Sequence, residues 1–121
     1  MIQEQDIIIE QQKGEYKSFE IKNDPVWKDY PLSGVTYPTK YGYLKGFKSE
    51  DGHELDIFVG SGKLCGYIKV WRCDVPIETK IVYNVTKIEY EKIIATFKPV
   101  IKEKETLDTK RFKIFIEQYK K

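Results

Sequence analysis

The sequence predicts a mainly β domain with two late helices, folded as a small barrel with the helices added at one side. Three observations carry this reading. Short apolar runs of strand length, bounded by glycine, proline and Asn-Asp turns, fill the first two thirds of the chain. A capping box, Thr86-Lys-Ile-Glu89, then opens a stretch with apolar residues at helical spacing. A second apolar stripe, at Phe112, Phe115, Ile116 and Tyr119, closes the chain.

Taken in order, Ile7-Ile8-Ile9 reads as a strand leading to Glu10, and residues 17–21 alternate with Phe19 and Ile21 on one face. Turns follow at residues 23–25 and 31–34. Pro38 biases Tyr37 toward extended backbone. Residues 55–59 form a strand, Gly60-Ser-Gly62 turns, and strands follow at 64–73 and 79–85. The capping box places Tyr90, Ile93, Ile94 and Phe97 along one helix, and Pro99 ends it. A terminal helix lies after Thr106.

Residues 1–121 make a single domain, enough to bury roughly two-thirds of the unfolded surface. The 21 basic residues against 19 acidic leave +2, so there is no broad basic field for nucleic acid. Nine tyrosines and two tryptophans offer stacking faces. Aromatics in strands usually serve packing, however, and the neutral balance argues against a phosphate track. No apolar run approaches 18 residues and the N-terminus lacks a signal-peptide pattern, which predicts a soluble, cytoplasmic protein with no membrane partner. Cys65 and Cys73 lie outside any metal or redox spacing and read as reduced packing residues. Gly60-Ser-Gly-Lys63 lacks the full phosphate-loop spacing and precedes a strand, so it reads as a hairpin turn.

The chemistry concentrates in Tyr37-Pro-Thr-Lys-Tyr41-Gly-Tyr43 and Asp51-Gly-His53-Glu54-Leu-Asp56. Clustered carboxylates repel unless cations or solvent neutralise them. They therefore form either a divalent-metal site or a solvated acidic turn. Downstream, Asp74, Glu78 and Lys80 flank another turn. If both acidic segments share one end of the barrel, four carboxylates and a lysine meet in the composition of a phosphoryl-transfer site.

Five stretches in order resemble the soluble (family I) inorganic pyrophosphatases. Ile9-Glu10-x-x-Lys13-Gly14 followed by Phe19-Glu20 is similar to that family's opening E-I-P-K-G…Y-E. Tyr37-Pro38-x-x-Tyr41-Gly42-Tyr43 is similar to Y-P-x-N-Y-G-[FY], and Asp51-Gly-His53-Glu-Leu-Asp56 to D-G-D-P-x-D. Asp74-x-x-x-Glu78-x-Lys80 resembles D-x-x-x-x-D-x-K, one residue shorter, and Phe115-Ile-Glu117-Gln-Tyr119-Lys120 resembles F-F-E-x-Y-K.

The resemblance implies a closed five-stranded, OB-like barrel with the site at one end. It implies Asp51, Asp56, Asp74 and Glu78 as ligands of Mg²⁺. His53, Asp56 and Glu10 would stand at the catalytic centre, Glu10 as an outer carboxylate ordering water. Lys17, Tyr37, Tyr41, Lys80, Tyr119 and Lys120 would bind substrate, and a homo-oligomer is left open. Three departures touch the nucleophile and the phosphate. His53 replaces an aspartate, Ser18 beside Lys17 replaces a lysine, and Asp29 beside Lys28 replaces an arginine. Imidazole is a poor magnesium ligand but suits Mn²⁺, Co²⁺ or Zn²⁺. The expected function is a metal-dependent phosphoanhydride hydrolase acting on pyrophosphate or a diphosphate-containing nucleotide. The alternative is an impaired relative that binds or sequesters a phosphorylated small molecule.

Overall fold

Strand-forming runs become β structure in a computed structural model that describes residues 2–19, 29–73 and 75–121. The strands are β1 (Ile7–Gln11), β2 (Tyr16–Ser18), β3 (Gly34–Thr36), β4 (Lys40–Lys48), β5 (Glu54–Val59), β6 (Leu64–Val70), β7 (Glu78–Val85) and β8 (Ile101–Leu107). The helices are α1 (Lys87–Phe97) and α2 (Thr109–Glu117). The turn expected at 23–25 and the end of the strand expected at 17–21 lie outside the described residues.

Both helix starts follow from their caps. Thr86 Oγ1 accepts from the Glu89 amide at 3.0 Å, and Glu89 Oε1 accepts from the Thr86 amide at 2.8 Å. The same carboxylate also takes the Ser61 amide at 2.9 Å, so the capping box pins the β5–β6 turn as well. Pro99 sits in a short 3-10 turn that ends α1. Asp108 caps α2 by accepting from the Arg111 amide at 2.8 Å.

Six strands pair in the order β1-β4-β5-β7-β6-β8, and β2 pairs with β3 in a separate two-stranded sheet. The closed five-stranded barrel implied by the resemblance is not what this pairing gives. β7 inserts between β5 and β6, running parallel to β5 and antiparallel to β6. β8 then extends the sheet beyond β6. No ladder joins β1 to β8 among the described residues, so the sheet keeps two edges.

Side-chain alternation divides the core into two clusters on opposite faces of this sheet. Phe58, Ile68 and Val82 point to one face, where they meet Ile93 and Phe97 of α1. Leu55, Ile57 and Ile81 point to the other, where Phe112 and Ile116 of α2 cover them. The helices thus lie on both faces rather than at one side. The β2–β3 sheet shares the α1 face, with Val35 and Tyr37 buried in its cluster. Hydrogen bonds from the Gly14 amide to the Tyr37 carbonyl (2.8 Å) and from the Tyr37 amide to the Glu15 carbonyl (2.9 Å) extend the β2–β3 pairing beyond its strands.

Gly42 is where β1 closes on β4. A Cβ there would sit 1.7 Å from the Ile8 carbonyl oxygen, so only glycine allows the pairing that carries Glu10 into place. Gly42→Ala is expected to cost about 1–3 kcal/mol by overpacking. Denaturant unfolding measures the loss, and hydrogen exchange should show it concentrated in β1.

A candidate site built from opposed charges

β5 and β7 run parallel with Asp56 beside Lys80, so an acid and a base share one face at contact distance. Lys80 Nζ lies 3.0 Å from Asp56 Oδ2 and 2.8 Å from Glu78 Oε1, two residues back on its own strand. It also donates to the Tyr41 hydroxyl at 2.6 Å, and that hydroxyl donates to Asp56 Oδ2 at 2.5 Å. The ammonium further sits 5.2 Å from the Tyr41 ring centroid, within reach of a cation–π interaction. Lys80 is only 7% exposed.

Arg72, just past β6, extends the chain of charges. Its Nη1 lies 2.8 Å from Glu78 Oε2 and 3.0 Å from Asp51 Oδ2. The result is a continuous series, Asp51–Arg72–Glu78–Lys80–Asp56, in which carboxylates and cations alternate.

What brings Asp51 to this series is its neighbour. Glu50 accepts from the Thr79 amide at 2.9 Å, from Thr79 Oγ1 at 2.7 Å and from Ser49 Oγ at 2.7 Å. That clamp fastens the β4–β5 turn to β7. Within the turn, Gly52 takes a φ of 82° and Asp51 Oδ1 accepts from the His53 amide at 2.9 Å. Asp51 then falls beside Arg72.

A cavity of about 300 Å³ opens in front of this series. Glu10 of β1 and Lys17 of β2 face it from the near side; Asp56, Glu78, Lys80 and Arg72 form its floor. Its walls are aromatic. Tyr37 stacks on Tyr41 with centroids 4.4 Å apart, and Phe19, Tyr30 and Phe97 join them, with Val70 as the one aliphatic member of the lining. The Tyr30 hydroxyl donates to the Trp71 carbonyl at 3.1 Å.

Burial and charge set the protonation of these groups. Burial works to raise the Glu78 pKa, but Lys80 and then Arg72 outweigh it and bring the carboxyl down to about 2. Burial likewise opposes the charge on Lys80, yet Tyr41, Asp56 and Glu78 together hold its pKa above the ordinary lysine range. Asp51 moves upward, through burial and the adjoining Glu78 charge, which the His53 amide and Arg72 only partly offset. Burial pushes Tyr37 up to about 12 and raises Tyr41 as well.

Of the residues singled out in the sequence, Glu10, Lys17, Tyr37, Tyr41, Asp56, Glu78 and Lys80 line the one cavity, and Asp51 joins them through Arg72. Asp74 lies outside the described residues. His53 is exposed in the β4–β5 turn and is not part of the lining. Tyr119 and Lys120 lie elsewhere too. Thr79 faces away from Glu78 and Lys80, and the Tyr119 hydroxyl meets Thr79 Oγ1 at 2.9 Å, in the cluster covered by α2. Lys120 forms an isolated bridge with Phe47.

Arg72 was missed, although it is one of only two arginines among the 21 basic residues. That scarcity, together with its place at the end of a strand two residues before Asp74, was the available signal.

Among the described residues, no three His, Cys, Asp or Glu side chains approach closely enough to hold one metal ion. The carboxylates of the series are instead met by guanidinium and ammonium groups. Asp51 and Glu78 already share one positive group, and Glu78 and Asp56 share another. No family model matches the chain, and no curated protein or solved structure does either. No described helix is long and apolar enough to cross a membrane.

The Glu78 carboxyl has its depressed pKa only in the folded state, so its contribution is full above the ordinary value of 4.5 and fades as pH falls toward about 2. Lys80 behaves oppositely: its contribution is full below 10.5 and is lost as pH rises through its elevated folded value. Glu78→Gln is expected to lower stability at pH 7 by about 3 kcal/mol and to flatten the acid limb between those two values. Urea unfolding at pH 2–7 measures both effects.

Proposed function

We propose that this chain is a metal-dependent phosphoanhydride hydrolase of inorganic-pyrophosphatase type, acting in the cytoplasm on pyrophosphate or a diphosphate-containing nucleotide. The supporting observation is the convergence of Glu10, Lys17, Tyr41, Asp56, Glu78 and Lys80 on one cavity, with Asp51 attached through Arg72. These residues come from five different strands and the β4–β5 turn, and their types are those phosphoryl transfer requires: carboxylates, fixed cations and hydroxyl donors.

Mg²⁺ is the cation that carboxylate oxygens suit; Asp51, Asp56 and Glu78 would hold it only after drawing closer together than they stand beside Arg72 and Lys80. When bound, it neutralises phosphate oxygens and lowers the pKa of a coordinated water. Lys17, at the near side, and Lys80, on the floor, take up the negative charge of the two phosphoryl groups. Tyr41, kept protonated by burial, donates to a phosphate oxygen or to Asp56. Glu10 orders water at the mouth. His53 projects outside the lining, so the argument that it favours Mn²⁺, Co²⁺ or Zn²⁺ has no support from its position.

A second reading, capture of a phosphorylated small molecule without turnover, has its own support. The exposed His53 puts no base at the position where the resemblance calls for one, and Arg72 and Lys80 already satisfy the carboxylates. Incubation with pyrophosphate or ADP and Mg²⁺, Mn²⁺ or Co²⁺ separates the two. Hydrolysis predicts phosphate release that Asp56→Asn abolishes at a temperature where circular dichroism shows the variant folded, since Asp56 also pairs with Lys80. Calorimetric binding with the ligand recovered intact favours capture. Neither release nor binding with any combination rejects both.

A further inference from the structure

We propose that a second cavity, on the sheet face covered by α2, binds a small aryl carboxylate: a flat apolar body carrying one negative charge. This site is separate from the charged series and does not depend on the phosphoanhydride reading.

The cavity holds about 320 Å³ between the start of β6, the end of β7 and the first turns of α2. Ligand pockets begin at roughly this size, which suits a body of one or two rings. Leu64, Leu107, Tyr83, Phe112 and Ile116 form its apolar walls, together with Ile2. The Tyr83 and Phe112 rings lie within 16° of parallel, with centroids 6.2 Å apart. The neighbouring Tyr67–Phe115 stack closes to 4.2 Å. The wider pair covers less of its own ring surface, so flat aromatic area is left for a further ring to stack on.

A break in the sheet sets a polar group in this apolar space. The β6–β7 register shifts between Leu64↔Val85 and Gly66↔Val82, so Cys65 alone stands opposite Tyr83 and Asn84. Asn84 takes a φ of 52° and is the one non-glycine residue with positive φ among those described. Its carboxamide joins the lining. There Oδ1 accepts from Cys65 Sγ at 3.6 Å, and the amide hydrogens meet no acceptor among the described residues. Lys63 and Lys113 line the same cavity, and neither is in an ion pair among the described residues. Asp108 is the only carboxylate of the described lining, and its Oδ1 already accepts the Arg111 amide at 2.8 Å. Burial raises the Cys65 thiol pKa, which keeps that group protonated. Donors and positive charge therefore exceed the acceptors on offer. A carboxylate answers both, while its ring fills the apolar part.

The test is calorimetric titration of the full chain with naphthoate, its neutral analogue naphthalenemethanol, and the aliphatic acid decanoate. Naphthoate is expected to bind about tenfold more tightly than the alcohol, since two exposed lysines each contribute modestly. Lys63→Gln and Lys113→Gln should each weaken naphthoate by about three- to fivefold and leave the alcohol unchanged. Bound naphthoate should slow alkylation of Cys65 by iodoacetamide, mapped by mass spectrometry, with Cys73 as the internal control. Leu64→Trp, at a position 38% exposed, should fill the cavity and abolish binding of naphthoate and alcohol while circular dichroism shows the variant folded. Naphthoate binding that leaves Cys65 unprotected, or no binding by any of the three compounds, overturns the site. Equal affinity for naphthoate and the alcohol overturns the carboxylate, and equal affinity for naphthoate and decanoate overturns the aromatic ring. None of these results bears on the phosphoanhydride site.

Discussion

A lysine ammonium enclosed in the middle of a sheet is the constraint from which the rest of this fold follows. Burying an unpaired charge costs several kcal/mol, so Lys80 is tolerable only where counter-charges are already in place. The parallel pairing of β5 with β7 supplies Asp56, the preceding turn of the pleat supplies Glu78, and β4 brings the Tyr41 hydroxyl. Three strands are thereby locked in register at one level of the sheet. Sliding β5 by one residue would turn Asp56 toward the cluster under α2, strand Lys80 without it, and take Phe58 out of the cluster it fills. Hydrophobic burial drives the sheet to form, but this ionic node decides which of the compact arrangements is acceptable.

The same node explains the character of the cavity. Its carboxylates are not a bare acidic cluster, because each is met by Arg72 or Lys80. Lys17 adds a further cation at the near side and Glu10 a further anion, so the lining is close to neutral in sum while strongly polarised in detail. Such a surface offers both signs within a few ångströms. On the proposed function, a metal–phosphate complex, itself a pairing of opposite charges, would match it better than either ion alone. The aromatic walls lower the local dielectric around these charges and so strengthen their interactions.

Local signals were readable in the chain and long-range pairing was not. The capping box at Thr86, the stripe through Phe112 and Ile116, and the strand around Leu55–Ile57 depend on neighbours a few residues away, and each formed where the pattern placed it. β8 escaped notice because Ile101-Lys-Glu-Lys-Glu-Thr-Leu107 is a charged edge strand, whose composition is as compatible with a helix or loop. β4 was hidden by its glycines, Gly42 and Gly46, whose value lies in a close contact with β1 and a positive φ. The order of strands rests on β7 inserting beside β5, which no local pattern encodes. For the site, Asp56 and Lys80 were singled out by the acidic motifs and the resemblance, and adjacent parallel strands set them side by side. Arg72 was not, since it belongs to none of the motifs, and only the fold brings it to Asp51 and Glu78.

Tyr119 shows how a sequence match and a three-dimensional role diverge, and it connects the two faces of the sheet. Its hydroxyl meets Thr79 Oγ1 at 2.9 Å and Glu50 Oε2 at 3.3 Å, while its carbonyl accepts from the Lys48 amide at 2.8 Å. The end of the chain is therefore strapped to the start of the β4–β5 turn, on the face away from the cavity. Glu50 and Asp51 are consecutive, so one residue is anchored behind the sheet and the next enters the charged series in front of it. Holding Glu50 still is what allows Asp51 to meet Arg72 at a defined distance. Tyr119 thus bears on the charged series through the backbone of a turn, by positioning a carboxylate it does not touch.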